Sequence, residues 1–317
     1  MLMKRVSARA APSGISLEDI TVPALICASW SDHGMHTRGS FEGFKQISSS
    51  QKWLYTHGQP KWDVYYSDEA KSVQTAFFDH FLKGEENGFE ARPPVRLEVR
   101  ETLKDYTVRF EETWPLPTTV ETPLYLTPEG DLAGRNDDDR AEVAYKARTG
   151  AAAFRRTFDL DTELSGNMKL KLWVEADGAR DMDLFVAIKK YDRDGNEVTF
   201  YGKAGYAKTP VALGWLRVSQ RELDPDRSTA LQPYLKHERS LKLKRGKIVP
   251  VEIEILPSST LFRAGETLEV AIQGRDHFEH HALAHENTAN KGTHIIHMGG
   301  DYDSHLLVPV IPQADRA

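Results

Sequence analysis

The chain has 317 residues, of which 40% are hydrophobic and 28% charged, with a formal net charge of −6. This is the composition of a globular protein of about two ordinary domains, so disorder is not the starting assumption. The acidic balance gives no general attraction for phosphate backbones or anionic lipid, and nucleic acid is not an expected partner. With Cys27 as the sole cysteine, an intramolecular disulfide and a four-thiolate zinc site are both excluded, and the chain reads as cytoplasmic.

Residues 1–20 include Lys4, Arg5 and Arg9 but no apolar core between them, and no later stretch approaches eighteen apolar residues. Neither a secretory signal nor a membrane span is expected, and the opening residues read as a tail. Val22 to Trp30 is a nearly continuous apolar run, the pattern of a strand covered on both faces in a parallel sheet. Thr37 to Ile47 suits a short helix and Lys52 to Thr56 a second strand. Ser67 to Leu82 then spaces Val73, Phe77, Phe78, Phe81 and Leu82 for a helix that ends at Lys83-Gly84. A right-handed crossover would lay the two strands parallel, with their carboxyl ends on one edge, where open α/β sheets place their chemistry.

After Gly84 the period changes. Val95, Leu97 and Val99 alternate with Arg96, Glu98 and Arg100, and Trp114-Pro115-Leu116-Pro117 reads as a stiff connector. From about Thr122 alternation dominates: Met168, Leu170, Leu172 and Val174; Leu184, Val186 and Ile188; Val249, Val251, Ile253 and Ile255. Further strands are predicted over Ala153–Leu160, Glu197–Tyr201, Trp215–Arg221, Thr267–Gln273, Thr293–Met298 and Leu306–Ile311. Many short strands with almost no amphipathic helix imply a β-sandwich of the jelly-roll kind. The expected organisation is a tail over 1–20, a partial α/β region over 21–90, a connector over 91–121 and the sandwich over 122–317. Two parallel strands and two helices cannot bury both faces of their own sheet, so the α/β part must lean on the sandwich, on another copy of the chain, or on a separate polypeptide.

Asp32 follows the first apolar strand and His57 follows the second, twenty-five residues later. An acid and a histidine in that order at neighbouring strand ends match the second half of the order Ser, Asp, His. The acid would accept the imidazole N–H and stabilise the imidazolium that forms when the ring takes a serine proton. On spacing alone, a loop carboxylate and an exposed histidine is the simpler reading.

The blocks around the pair resemble the cocaine esterase and X-prolyl dipeptidyl-peptidase family of serine hydrolases. The resemblance runs from Val22-Pro23-Ala24-Leu25 and Ser29-Trp30-Ser31-Asp32 through Trp53-Leu54-Tyr55-Thr56-His57-Gly58 and Phe77-Phe78-Asp79-His80-Phe81-Leu82-Lys83-Gly84. It continues through Pro94–Arg100 and Trp114-Pro115 to Gly214–Ser219, Pro250–Ile255 and Phe262-Arg263-Ala264-Gly265. It implies the end of an α/β-hydrolase domain followed by a C-terminal jelly roll, with Asp32 as the triad acid, His57 as the triad base, and an ester or peptide bond as the target. It implies no cofactor and no metal.

The family's serine belongs on a Gly-x-Ser-x-Gly elbow far ahead of the acid, and no such elbow occurs in this sequence. Gly39-Ser40-Phe41-Glu42-Gly43 places serine beside the first glycine, so Ser40 reads as a polar residue of the short helix, and Cys27 reads as inert packing in a buried strand. The expectation is therefore the C-terminal portion of a serine hydrolase, inactive or nearly so alone. The alternatives are a non-catalytic binding module, or half of a split enzyme completed by an N-terminal polypeptide on the open sheet edge.

Other signals are discounted. His281 and His285 have a helical metal spacing, but the stretch lacks a His-Glu-x-x-His motif. Asp192 to Glu197 reads as a hairpin turn rather than a calcium loop, and Asp137 to Asp139 as a solvated loop. Most of the six tryptophans read as core rather than a carbohydrate platform.

Overall fold

The computed structural model describes residues 16–34, 36–202, 205–277, 285 and 287–316. The described residues fall into two compact units: one within 16–118 and 199–209, the other within 119–198 and 210–316.

In the first unit, β1 (Ala24–Ser29) pairs in parallel with β2 (Lys52–His57), register Ala24 to Lys52 through Ser29 to His57. The other edge of β2 carries β3 (Val95–Arg100), again parallel, and β3 pairs antiparallel with β4 (Tyr106–Glu111). Side chains alternate between sheet faces, so Leu25, Cys27 and Ser29 share a face with Trp53, Tyr55 and His57. Helix α1 (Thr37–Gln46) buries Thr37, Phe41 and Phe44, and the Phe41 ring stacks on Trp30 at 4.8 Å and meets Trp114 at 5.1 Å. A five-residue helix, α2 (Lys61–Tyr65), precedes α3 (Asp68–Lys83). The Ser67 hydroxyl caps the start of α3 by accepting the Ala70 amide, and Gly84, at φ +76°, ends it in the left-handed conformation that glycine adopts without steric cost. Its inner face supplies Phe77 to an aromatic cluster with Trp53 and Phe89.

Two features depart from the sequence reading. The stretch expected as a connector contains β3 and β4, and all six residues of β3 are buried, charged ones included. The alternation of Arg96, Glu98 and Arg100 with apolar residues does not mark a solvent face, because each charge meets a partner from outside the strand. In contrast β1, expected to be covered on both faces, is an edge strand with most of its residues only half-buried. Cys27 is exposed rather than packed inside, on the edge strand where it lines a cavity beside Tyr55.

The second unit is built from antiparallel strands: β5 (Val120–Leu126), β6 (Leu132–Ala133), β7 (Ala141–Lys146), β8 (Ala151–Thr157), β9 (Thr162–Asp177), β10 (Asp183–Tyr191), β11 (Glu197–Val198), β12 (Ala212–Arg217), β13 (Val249–Phe262), β14 (Thr267–Gln273), β15 (Thr293–Met298) and β16 (His305–Ile311). The long pair β9 and β13 forms its spine. From β13 the order runs through β12, β10 and β14 to β8; the far edge of β9 is shared by β15, which carries β7, and β16, which carries β5 and β6. An isolated bridge from Asp131 to Arg155 joins the two ends, giving a barrel-like sandwich. Alternate residues fill its core, including Met168, Leu170, Leu172 and Val174 on β9 and Val251, Ile253 and Ile255 on β13, while Glu252 and Glu254 stay at the surface side. A register shift between Ile255 and Ser258, opposite Gly166, bends the spine as a β-bulge does. No helix among the described residues is long and apolar enough to cross a membrane.

Candidate active site

The parallel register that sets Ser29 beside His57 brings the turns after β1 and β2 to one edge of the sheet. They are tied together: the Trp30 amide donates to the His57 carbonyl at 2.7 Å, and the Ser31 hydroxyl donates to the Gln59 carbonyl at 3.1 Å. The loop after β1 then turns into α1, with the His36 amide on the Asp32 carbonyl and the Thr37 hydroxyl on the Ser29 carbonyl at 2.7 Å.

Asp32 and His57, both buried, line one cavity of about 240 Å³ with Cys27, Tyr55, Lys61 and Trp62. They are not hydrogen-bonded to each other. Asp32 Oδ2 is paired with Lys61 Nζ at 3.1 Å, while Asp32 Oδ1 is buried with no hydrogen-bond partner. His57 Nδ1 lies 3.1 Å from the Gln59 carbonyl. A carbonyl can only accept, so Nδ1 carries the hydrogen and Nε2 presents its lone pair, the tautomer a general base requires. Burial holds the His57 pKa down to about 4, and the nearby Arg96 charge adds to that, against the Gln59 carbonyl and the Asp32 charge. The ring is neutral at pH 7.

Ser40 lies on α1 and is not among the residues that line this cavity. Cys27 does line it, but loss of hydration pushes its thiol pKa up, so it is not held as the thiolate a nucleophile needs. His281 lies outside the described residues; His285 Nδ1 donates to Asp276 Oδ1, 3.0 Å away, and no group of three or more His, Cys, Asp or Glu side chains among the described residues could hold a metal. The Asp192 carboxylate accepts the amides of Asp194 and Asn196 in the turn between β10 and β11, the hairpin the Asp-Gly pair signals. Trp30, Trp53 and Trp114 are buried, Trp173 and Trp215 half-buried, and Trp62 is largely exposed and packed edge-on to Tyr65.

Sequence reasoning missed Lys61, the partner of Asp32, and Glu98, whose carboxylate Oε1 accepts the Gly58 amide at 2.6 Å. Pro60, at the N-cap of α2, is the signal that could have located Lys61 at a helix start.

Residues 87–307 match the family model of the X-Pro dipeptidyl-peptidase C-terminal non-catalytic domain. The chain belongs to that family. With it the chain joins the X-Pro dipeptidyl-peptidase and cocaine esterase group of hydrolases. It is 25% identical to cocaine esterase of Rhodococcus sp. (strain MB1 Bresler) over 93% of this chain and 57% of that protein. Among solved structures, a CocE/NonD family hydrolase from Staphylococcus aureus superposes with a TM-score of 0.92 at 46% identity, over 94% of this chain and 56% of that one. An aminopeptidase from a marine sediment Thaumarchaeota archaeon shares the fold, with a TM-score of 0.66 at 15% identity over 92% of this chain and 56% of that one. This X-Pro dipeptidyl-peptidase family chain thus spans little more than half the length of these relatives. Asp32 and His57 precede the stretch that the non-catalytic domain model matches.

Proposed function

We propose that this chain carries the acid and base of a serine hydrolase, Asp32 and His57, and that the nucleophile comes from a Gly-x-Ser-x-Gly elbow outside these 317 residues. The reading rests on one observation above the others: an acid and a histidine converge on a single cavity at the carboxyl ends of adjacent parallel strands. The layer formed by β1, β2 and the helices is, on this reading, the end of an α/β-hydrolase sheet. The free edge of β1 and its half-open face are the template on which the elbow-bearing segment completes that sheet.

In the working site His57 Nε2 takes the serine proton as the hydroxyl attacks an ester or peptide carbonyl, and returns it to the leaving group. His57 Nδ1–H has to leave the Gln59 carbonyl for Asp32 Oδ1, which is buried and unpartnered, while Asp32 Oδ2 keeps Lys61. A carboxylate bonded to Nδ1 raises the His57 pKa from its depressed value and makes the ring a better base. The 317 residues alone lack nucleophile and oxyanion hole and are inactive or nearly so. The test is reconstitution with the remainder of the S. aureus relative, the part this chain does not cover, assayed with an activated ester: turnover appears on mixing and is lost with His57→Ala. A second reading, a non-catalytic binding module, is favoured by the description of the matched domain; a folded mixture in which no turnover appears supports it.

A further inference from the structure

The residues flanking His57 are held from outside their own strand. The Thr56 hydroxyl accepts the Glu98 amide at 2.8 Å and donates to the Arg96 carbonyl at 3.1 Å, and the Arg96 guanidinium donates to the Thr56 carbonyl at 2.8 Å. On the other side of His57, the Gly58 amide donates to Glu98 Oε1 at 2.6 Å. The Glu98 carbonyl also accepts the indole N–H of Trp30 at 3.0 Å, two residues before Asp32. One residue of β3 therefore grips the turn after each of the other two parallel strands, through its carboxylate on one side and its peptide oxygen on the other.

Glu98 is almost wholly buried, and a carboxylate is costly to bury unless its position matters or its partners compensate. Burial pushes its pKa up to about 7, and Glu69 of α3 adds to that, against the Gly58 amide and the charges of Arg96 and Arg100 on its own strand. Arg96 is itself bound by both oxygens of Glu69, at 2.7 and 3.2 Å, and Arg100 lies 4.4 Å above the Phe200 ring. These contacts hold the two arginines in place and leave the Glu98 side chain aimed at the Gly58 amide.

We propose that Glu98 is a positioning residue: by holding the Gly58 amide and the Trp30 indole it fixes the two turns that carry His57 and Asp32 at their mutual distance. Glu98 lies within the stretch matched by the non-catalytic domain model, so that stretch supplies a part of the site's framework. The proposal rests on the reading of His57 as a base only for its functional meaning; the positioning itself is measurable without catalysis.

Two variants separate a hydrogen bond of set reach from a buried charge. Glu98→Gln keeps the reach and an acceptor oxygen but loses the charge, and Glu98→Asp keeps the charge between the arginines but draws the oxygen back by one methylene. In the full 317-residue chain, Gly58 amide exchange and the His57 imidazole titration are followed by NMR. Positioning predicts that Glu98→Gln leaves both within about threefold of the parent, while Glu98→Asp speeds Gly58 exchange by about 10- to 100-fold, the loss of one charge-assisted hydrogen bond, and moves the His57 titration upward as water enters. Glu98→Gln disturbing both signals while Glu98→Asp leaves them intact overturns the proposal, as does an unprotected Gly58 amide in the parent. Failure of the hydrolase reading shows elsewhere, as a reconstituted enzyme indifferent to His57→Ala.

Discussion

Acid should loosen the α/β unit through His57, and the size of the effect follows from its burial. The ring has an ordinary pKa of 6.5 and is held at about 4 in the folded chain, chiefly by desolvation. At about 1.4 kcal/mol per tenfold change in proton affinity, the difference is worth about 3 kcal/mol. Its sign is fixed by which state binds more protons. Between pH 6.5 and 4 the unfolded chain protonates this histidine and the folded chain does not, so stability is fully present above about pH 6.5 and is lost as the pH falls toward 4. His277 and His294, also held down to about 4 by burial, act in the same direction, so the total loss exceeds the share of His57. The share is isolated by comparing the parent with His57→Gln in urea unfolding curves from pH 7.5 to 4. The glutamine variant should gain about 3 kcal/mol relative to the parent across that range, whatever its offset at pH 7.5. A difference between the two that stays constant with pH to within about 0.5 kcal/mol would show that His57 is solvated and refute the reasoning.

Other substitutions report on the framework. A methyl group at Gly58 would press into the buried Arg100 side chain and sit 3.1 Å from Glu98 Oε1, so Gly58→Ala should lower stability by about 1–3 kcal/mol in denaturant titration. In the sandwich, Gly214→Ala would set its Cβ 2.5 Å from the Glu254 carbonyl oxygen, where β12 meets β13 at Ile255; a loss of similar or larger size is expected, read as a lower melting temperature. Removing the hydroxyl cap of α3 in Ser67→Ala should cost about 1 kcal/mol in the same assay. The single thiol, Cys27, should react with a maleimide in the native chain without denaturant, one label per chain by mass spectrometry, and more slowly than a free thiol because its pKa is raised.

The elements that carry Asp32 and His57 were legible because continuous apolar runs and a helical spacing are local signals. Val22 to Trp30 contains β1, Lys52 begins β2, and the aromatic stripe from Val73 to Leu82 sits on α3 with Gly84 at its end. The spine of the sandwich was legible for the same reason, since Met168 to Val174 and Val249 to Ile255 alternate cleanly. Charge defeats this rule in β3. Arg96, Glu98 and Arg100 alternate as a solvent face does, yet they are buried against Glu69, Gly58 and Phe200, partners distant in sequence that no local period can announce. Continuity misleads in β1 for the opposite reason: an apolar run shows that a strand is fit to be covered, not that anything covers it, and Cys27 is exposed. The pairing of Asp32 with Lys61 instead of His57 was equally hidden, because both residues lie within a few positions of the end of β2 and only the geometry decides between them.

The measurement that bears most directly on the assignment of Asp32 and His57 is labelling with a fluorophosphonate, a reagent that reports a serine activated by a nearby base. The 317-residue chain is treated alone and after mixing with the part of the S. aureus relative that lies outside the matched region, and the modified residue is mapped by mass spectrometry. The expected result is no label on the chain alone, a label on a serine of the added segment in the mixture, and loss of that label with His57→Ala. A label on a residue of this chain itself, or a label on the mixture that persists in the His57→Ala variant, would contradict the account.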